Sequence, residues 1–180
     1  LSVDGSNVAS NASVMNNTQT TLTPGALAQG THNWTVNCTD NANNIGTSIA
    51  RNFTIDTGNP AVGAIGPADG NWTTDNTPDF NFSVNDSYSS RLNCYLSLDG
   101  TINATNASTM NNTNTKFTPG VAISEGAHSW MVNCSDNVSN KGSSIARSIT
   151  VDSIAPAIGA VSPADNNFTS DTTPDFIFGV

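Results

Sequence analysis

The sequence predicts an all-β protein made of tandem antiparallel β-sandwiches, with about seven strands per unit. Three observations carry that expectation. Residues 30–56 and 126–152 match at 16 of 27 positions, and residues 60–84 match residues 156–180, so the chain repeats itself after about 96 residues. That period exceeds the roughly 20 to 50 residues of a solenoid repeat and equals one small sandwich. Apolar segments alternate with a period of two, and no window holds a sustained helical period. Gly, Pro, Asn and Asp clusters break these segments at short intervals, as turns do.

Each element of the whole unit follows from this alternation. The run DFNFSVND places Phe80, Phe82 and Val84 on one face, and RLNCYLSLDG does the same for Leu92, Cys94, Leu96 and Leu98. Asp99-Gly100 then reads as a turn, and the Asn/Thr-rich residues 103–115 read as a loop. After Pro119-Gly120 and Glu125-Gly126, HSWMVNCSDN sets Trp130, Val132 and Cys134 against an opposite face of Met131, Asn133 and Ser135. A last strand is expected over residues 144–151, with Ile145, Ile149 and Val151 as its apolar residues. In A-to-G order these are strands B, C, F and G, with C beside F.

Leu1 aligns with Leu96, and Val180 with Val84. The expected organisation is therefore residues 1–56 as the last part of one repeat, 57–152 as a complete repeat, and 153–180 as the first part of the next. The flanks are expected to lack partner strands, which in a continuous or head-to-tail array another copy supplies. There is no initiator Met, signal peptide or apolar run long enough for a membrane span, so any targeting information is expected outside this stretch.

Three cysteines fit one disulfide per repeat. Cys94 and Cys134 lie in the same unit with the same core parity, Cys38 corresponds to Cys134, and the partner of Cys38 falls two positions before Leu1. A Cys94–Cys134 bridge implies an oxidising, extracellular setting and adds roughly 4 kcal/mol on the chain-entropy account. The alternative is two buried free thiols in a cytosolic protein. Two Cys and the nearby His128 do not make the four-ligand spacing of a zinc site.

Composition points the same way. Charged residues are 11% of the chain, and a net charge of -9 with five Lys+Arg leaves no cationic cluster for nucleic acid. Low charge also fits disorder, but the regular alternation and three Trp argue against it. Asn-x-Ser/Thr sequons number 14, more than twice the number that composition gives by chance. Those in register between the copies are Asn11 with Asn106, Asn16 with Asn111, Asn37 with Asn133, and Asn71 with Asn167. These eight are the candidate N-glycosylation sites, so covalent N-glycans are expected partners.

The phrases PAD at residues 163–165, TPDF at 173–176, LDG at 98–100, EGAHSWMVNCSDN at 125–137 and ITVDSIAP at 149–156 together resemble the immunoglobulin-like repeats of bacterial and archaeal surface proteins. The resemblance runs over nearly all of the chain in both copies, and the Asn-rich, Cys-bearing style looks more archaeal. It implies tandem immunoglobulin-like sandwiches in a stalk, adhesin, surface layer or filament, and it specifies no ligand.

No catalytic residue is expected. Glu125 is the only Glu, and His32 and His128 have no Ser or Cys nucleophile in a recognisable motif; they read as strand-entry residues in ordinary solvent contact. No cofactor or metal site is assigned. Calcium is the one candidate, because Asp40/Asp136, Asp56/Asp152, Asp69/Asp165, Asp75/Asp171 and Asp79/Asp175 recur, several near the expected domain ends. Against it, Asp commonly serves only as a turn former. Trp34 and Trp130 have core parity, so they read as core residues and not as sugar platforms. The sequence thus points to a non-catalytic extracellular structural segment of a surface filament or stalk, whose partners are neighbouring repeats or copies of itself. The alternative is an adhesin or carbohydrate-binding module.

Overall fold

The computed structural model describes residues 1–180 and holds 17 strands and no helix. Strands β7 (Ala61–Gly66), β9 (Phe80–Asn85) and β12 (Thr113–Phe117) form one sheet in the order β12-β9-β7. The facing sheet runs β11 (Thr101–Met110), β10 (Arg91–Leu98), β13 (Gly126–Ser135), β15 (Arg147–Val151) and β8 (Asn71–Thr73), with β14 (Lys141–Ser143) paired to β13. Only β8 on β15 is parallel. The first strand of the sandwich therefore changes sheet between β7 and β8. In sandwich letters the layers are A-B-E and C′-C-F-G with A′ at the edge, an all-β immunoglobulin-like sandwich of seven principal strands.

The core is the set that the alternation selects. Phe80, Phe82, Val84, Leu92, Cys94, Leu96, Leu98, Trp130, Val132, Cys134, Ile149 and Val151 form one buried cluster with Phe117 and Ile123. The Phe80 ring meets Trp130 edge-on, and Phe82 stacks on Phe117, each at 5.0 Å between centroids. The Asp99-Gly100 turn between β10 and β11 has positive φ at both residues (48° and 79°), and Asp4-Gly5 repeats it at 49° and 80°. This primed turn suits the strand twist and needs a Gly at its second position. Arg147 closes the crossing of β7: its guanidinium donates to the carbonyls of Ala64, Ile65 and Pro67 and lies over the Trp130 ring.

Two expectations are corrected here. Residues 103–115 are not a loop: β11 pairs with β10, and β12 crosses to pair with β9. β11 is an edge strand whose residues are mostly exposed on both faces, so nothing selects an apolar alternation there. Ile145 is 85% exposed and β15 begins only at Arg147. The buried Ser144 causes this, because its backbone N–H donates to the Val132 carbonyl while its hydroxyl accepts from Val132 N–H, which takes residues 144–146 out of the ladder.

On either side stand partial copies. Strands β1 (Ser2–Val3), β2 (Ser6–Asn7), β3 (Gly30–Thr35) and β6 (Arg51–Ile55) form a sheet in the order β2-β1-β3-β6, beside the hairpin of β4 (Asn37–Thr39) and β5 (Ile45–Thr47). It reproduces β11-β10-β13-β15. At the other end β16 (Gly159–Ser162) and β17 (Ile177–Gly179) pair as β7 and β9 do.

Candidate functional site

Two histidines of the equivalent strands β13 and β3 each meet an aspartate. His128 Nδ1 donates to Asp99 Oδ2 at 2.7 Å, and its Nε2 faces the Ser124 carbonyl at 2.9 Å. His32 repeats the arrangement with Asp4 and the Ala28 carbonyl. These histidines are thus partnered and largely buried, not the freely solvated strand-entry residues expected. The hydrogen bond to Asp99 is the main cause that raises the His128 pKa, and the same bond, with Ser129 N–H, lowers that of Asp99.

Cys94 and Cys134 are bonded, facing each other across β10 and β13 with Cα atoms 4.1 Å apart. The bridge staples neighbouring strands of one sheet. Cys38 is a free, exposed thiol.

Sequon side chains differ in what they already do. Asn11, Asn16, Asn37 and Asn167 are exposed, and Asn71, Asn106, Asn111 and Asn133 are partly buried. Asn111 is committed to structure: its Nδ2 donates to the Asp86 carbonyl at 2.6 Å, while its Oδ1 accepts from Asp86 N–H and Asn112 N–H. Asn133 points outward as parity requires, with its Oδ1 accepting from Ser143 Oγ. Trp130 is buried and Trp34 half-buried, whereas Trp72 is 69% exposed in a shallow recess with Thr73, Thr74 and Asp152. It stands there without a second aromatic.

The one place where chemistry-bearing groups converge is the seam between residues 1–56 and the complete sandwich. Past β6 the chain runs through Asp56 to the buried Pro60 and into β7. The Pro60 carbonyl lies so close to Gly142 on β14 that a Cβ there would sit 1.8 Å from its oxygen. Asn140 Nδ2 bridges the Asp56 carbonyl (3.2 Å) and Asp136 Oδ2 (2.7 Å). Carboxylate oxygens of Asp56, Asp86 and Asp136 all lie within 4.8 Å of one another.

Local turns hold these carboxylates. Asp136 Oδ1 accepts from Val138 and Asn140 N–H in the β13–β14 turn, and Asp86 Oδ1 accepts from Tyr88 and Ser89 N–H in the β9–β10 loop. Asp86 and Asp136 are each only 8% exposed, and Asp86 Oδ2 accepts no hydrogen bond. No Lys, Arg or His pairs with any of the three. An all-oxygen set of this kind suits a hard cation such as calcium. Sequence reasoning named Asp56 and Asp136 among the recurring aspartates but missed Asp86, whose counterpart in the preceding repeat would fall before Leu1.

A family model described as a bacterial Ig-like domain matches residues 1–57 and 66–153. Among solved structures, the fibronectin(III)-like modules of Clostridium thermocellum CbhA align with the chain at 18% identity and a TM-score of 0.40, over 53% of this chain and 99% of theirs. No curated protein matches the chain.

Proposed function

Because the chain belongs to the bacterial Ig-like domain family, we propose that it is a non-catalytic, extracellular structural segment in which repeats 1–56, 57–152 and 153–180 follow head to tail in a surface stalk or filament. The observation that carries this reading is the seam. The Asp56–Pro60 linker is pinned to the next sandwich at Gly142 and Asn140 instead of hanging free, which favours a semi-rigid rod over loosely tethered beads. The intra-sheet disulfide and the excess of sequons support an oxidising, glycosylated setting outside the cell. Calcium at Asp56, Asp86 and Asp136 belongs to the same reading. Each ionised pair of these carboxylates repels by roughly 3 kcal/mol at an effective dielectric of about 20, and a divalent ion would turn that repulsion into cohesion between repeats.

Surface proteolysis of intact native cells, followed by mass spectrometry of the released peptides, tests the setting. Peptides carrying glycan at some of Asn11, Asn16, Asn37, Asn71, Asn106, Asn133 and Asn167 are expected. Recovery of this protein only after lysis, unglycosylated, would refute it.

A further inference from the structure

Within the complete repeat, the outer face of β11, β10 and β13 carries apolar side chains that no part of the fold covers. Ile102 on β11 pairs with Ser97 on β10, and Ser97 pairs with Met131 on β13. Ser144 stands opposite Val132 through two hydrogen bonds, so Ile145 comes beside Met131 on that same face. Ile102 is 63% and Ile145 85% exposed, and Met131 is half-buried. The next row holds Thr105, Tyr95, Asn133 and Ser143, one from each of four strands. Tyr95 and Asn133 are therefore direct cross-strand neighbours, a relation that sets Cβ atoms about 5 Å apart.

Asn133 opens the sequon Asn133-Cys134-Ser135, and its placement differs from that of the other three in-register sequons of this repeat. Asn71 pairs with the buried Ile149 and Asn106 with the buried Cys94, so both share the core side of their sheet. Asn111 commits its amide to the Asp86 backbone. Of the four, only Asn133 stands outward with its Nδ2 unpartnered, because Ser143 Oγ donates to its Oδ1 and nothing takes the amide N–H groups.

We propose that Asn133 carries an N-glycan whose first sugar lies across the Tyr95 ring and whose next residues cover Met131, Ile102 and Ile145. In the transfer, Nδ2 bonds to the anomeric carbon of an oligosaccharide activated as a lipid phosphate or diphosphate ester. The carbon–oxygen bond to phosphate breaks, the lipid phosphate leaves with the electron pair, and Nδ2 gives up one proton. Oδ1 is untouched, so the bond from Ser143 survives. A pyranose ring has an apolar C–H face that suits the face of an aromatic ring, while its hydroxyls stay in water. The occupant is the chain's own glycan because the attachment point adjoins Tyr95 across the strands and Met131 along β13, and a glycan there keeps a second sheet off this face. The inference rests on the glycosylated, extracellular reading and names the site and the surface that the glycan covers.

Site-resolved mass spectrometry of the natively isolated protein, together with thermal melting of variants from the same cells, tests it. Glycan should be found on Asn133. Ser135→Ala removes the sequon but keeps the Asn133–Ser143 bond, and it should lower the melting midpoint by about 2 to 6 °C. On chain made without glycan the same substitution should shift nothing. In a Tyr95→Ala background the shift should fall to less than half, and Tyr95→Phe, which keeps the ring, should retain it in full. Equal shifts with and without the ring would overturn the stacking. Glycans on other sequons with Asn133 bare would sink this inference and leave the extracellular reading standing, whereas bare Asn at every sequon would sink both. A bare Asn133 in a dimer that Ile102→Asp with Ile145→Asp dissociates would give the face to a second copy and equally overturn the proposal.

Discussion

His128 is held between two acceptors, the Asp99 carboxylate at 2.7 Å and the Ser124 carbonyl at 2.9 Å, and only the doubly protonated imidazolium can donate to both. The pair ties the turn after β10 to the start of β13, and Asp4 with His32 ties the same place one repeat earlier.

A pH dependence follows. The pKa of His128 is raised from 6.5, so its contribution is whole below 6.5 and is lost as pH rises through the folded value. Asp99 is lowered from 3.8, so its contribution is present above 3.8 and is lost as pH falls through its folded value. The melting midpoint should therefore be higher at pH 5.5 than at pH 8.5, and His128→Gln should flatten that difference. A midpoint equal at both pH values would contradict the clasp.

Gly142 and Gly46 are equivalent strand residues in different surroundings. Gly142 abuts the Pro60 carbonyl, and nothing lies within 4 Å of Gly46. Gly142→Ala should destabilise the complete repeat by about 1 to 3 kcal/mol through overpacking of the seam, and Gly46→Ala should change little. Denaturant titration of both variants checks this, and equal effects would show that the linker does not pack on β14.

Removing the bridge by Cys94→Ala with Cys134→Ala should cost roughly 4 kcal/mol, because it frees a loop with a sequence separation of 40. Reductant should lower the midpoint of the parent chain and leave that of the double variant unchanged.

Within the core, Phe82→Ala should cost about 3 to 5 kcal/mol, because Phe82 is fully buried and stacked on Phe117. Ile145→Ala should fall within about 0.5 kcal/mol, since that side chain faces solvent. A large loss at Ile145 would restore the uninterrupted strand over residues 144–151.

For the seam, adding calcium should raise the melting midpoint of the parent chain. Asp86→Asn or Asp136→Asn should remove that rise, and Asp75→Asn, at an aspartate outside the cluster, should not. Isothermal titration with calcium alone gives the stoichiometry. No heat and no shift in the parent would dismiss the cation.

Beyond the repeat, which is visible in residue order, alternation alone yields the faces of β9, β10 and β13 and the pairing of Cys94 with Cys134. Those are consequences of parity, which is local: a strand buried on one side must alternate, and two inward cysteines on adjacent strands meet. Tertiary structure decided what parity does not encode. β11 was hidden because an edge strand wetted on both faces has no alternation to read, β12 because its inward positions ahead of Phe117 are the polar Thr113 and Thr115, and Ile145 was misplaced because a single buried serine broke the ladder. The histidine clasp joins residues 29 positions apart, and its signal was the recurrence of Asp4 with His32 and Asp99 with His128, legible only once the turn after β10 is known to lie against β13. The triad draws Asp56 from the linker and Asp86 and Asp136 from two loops of the next sandwich, so its geometry arises only when one repeat is packed on another.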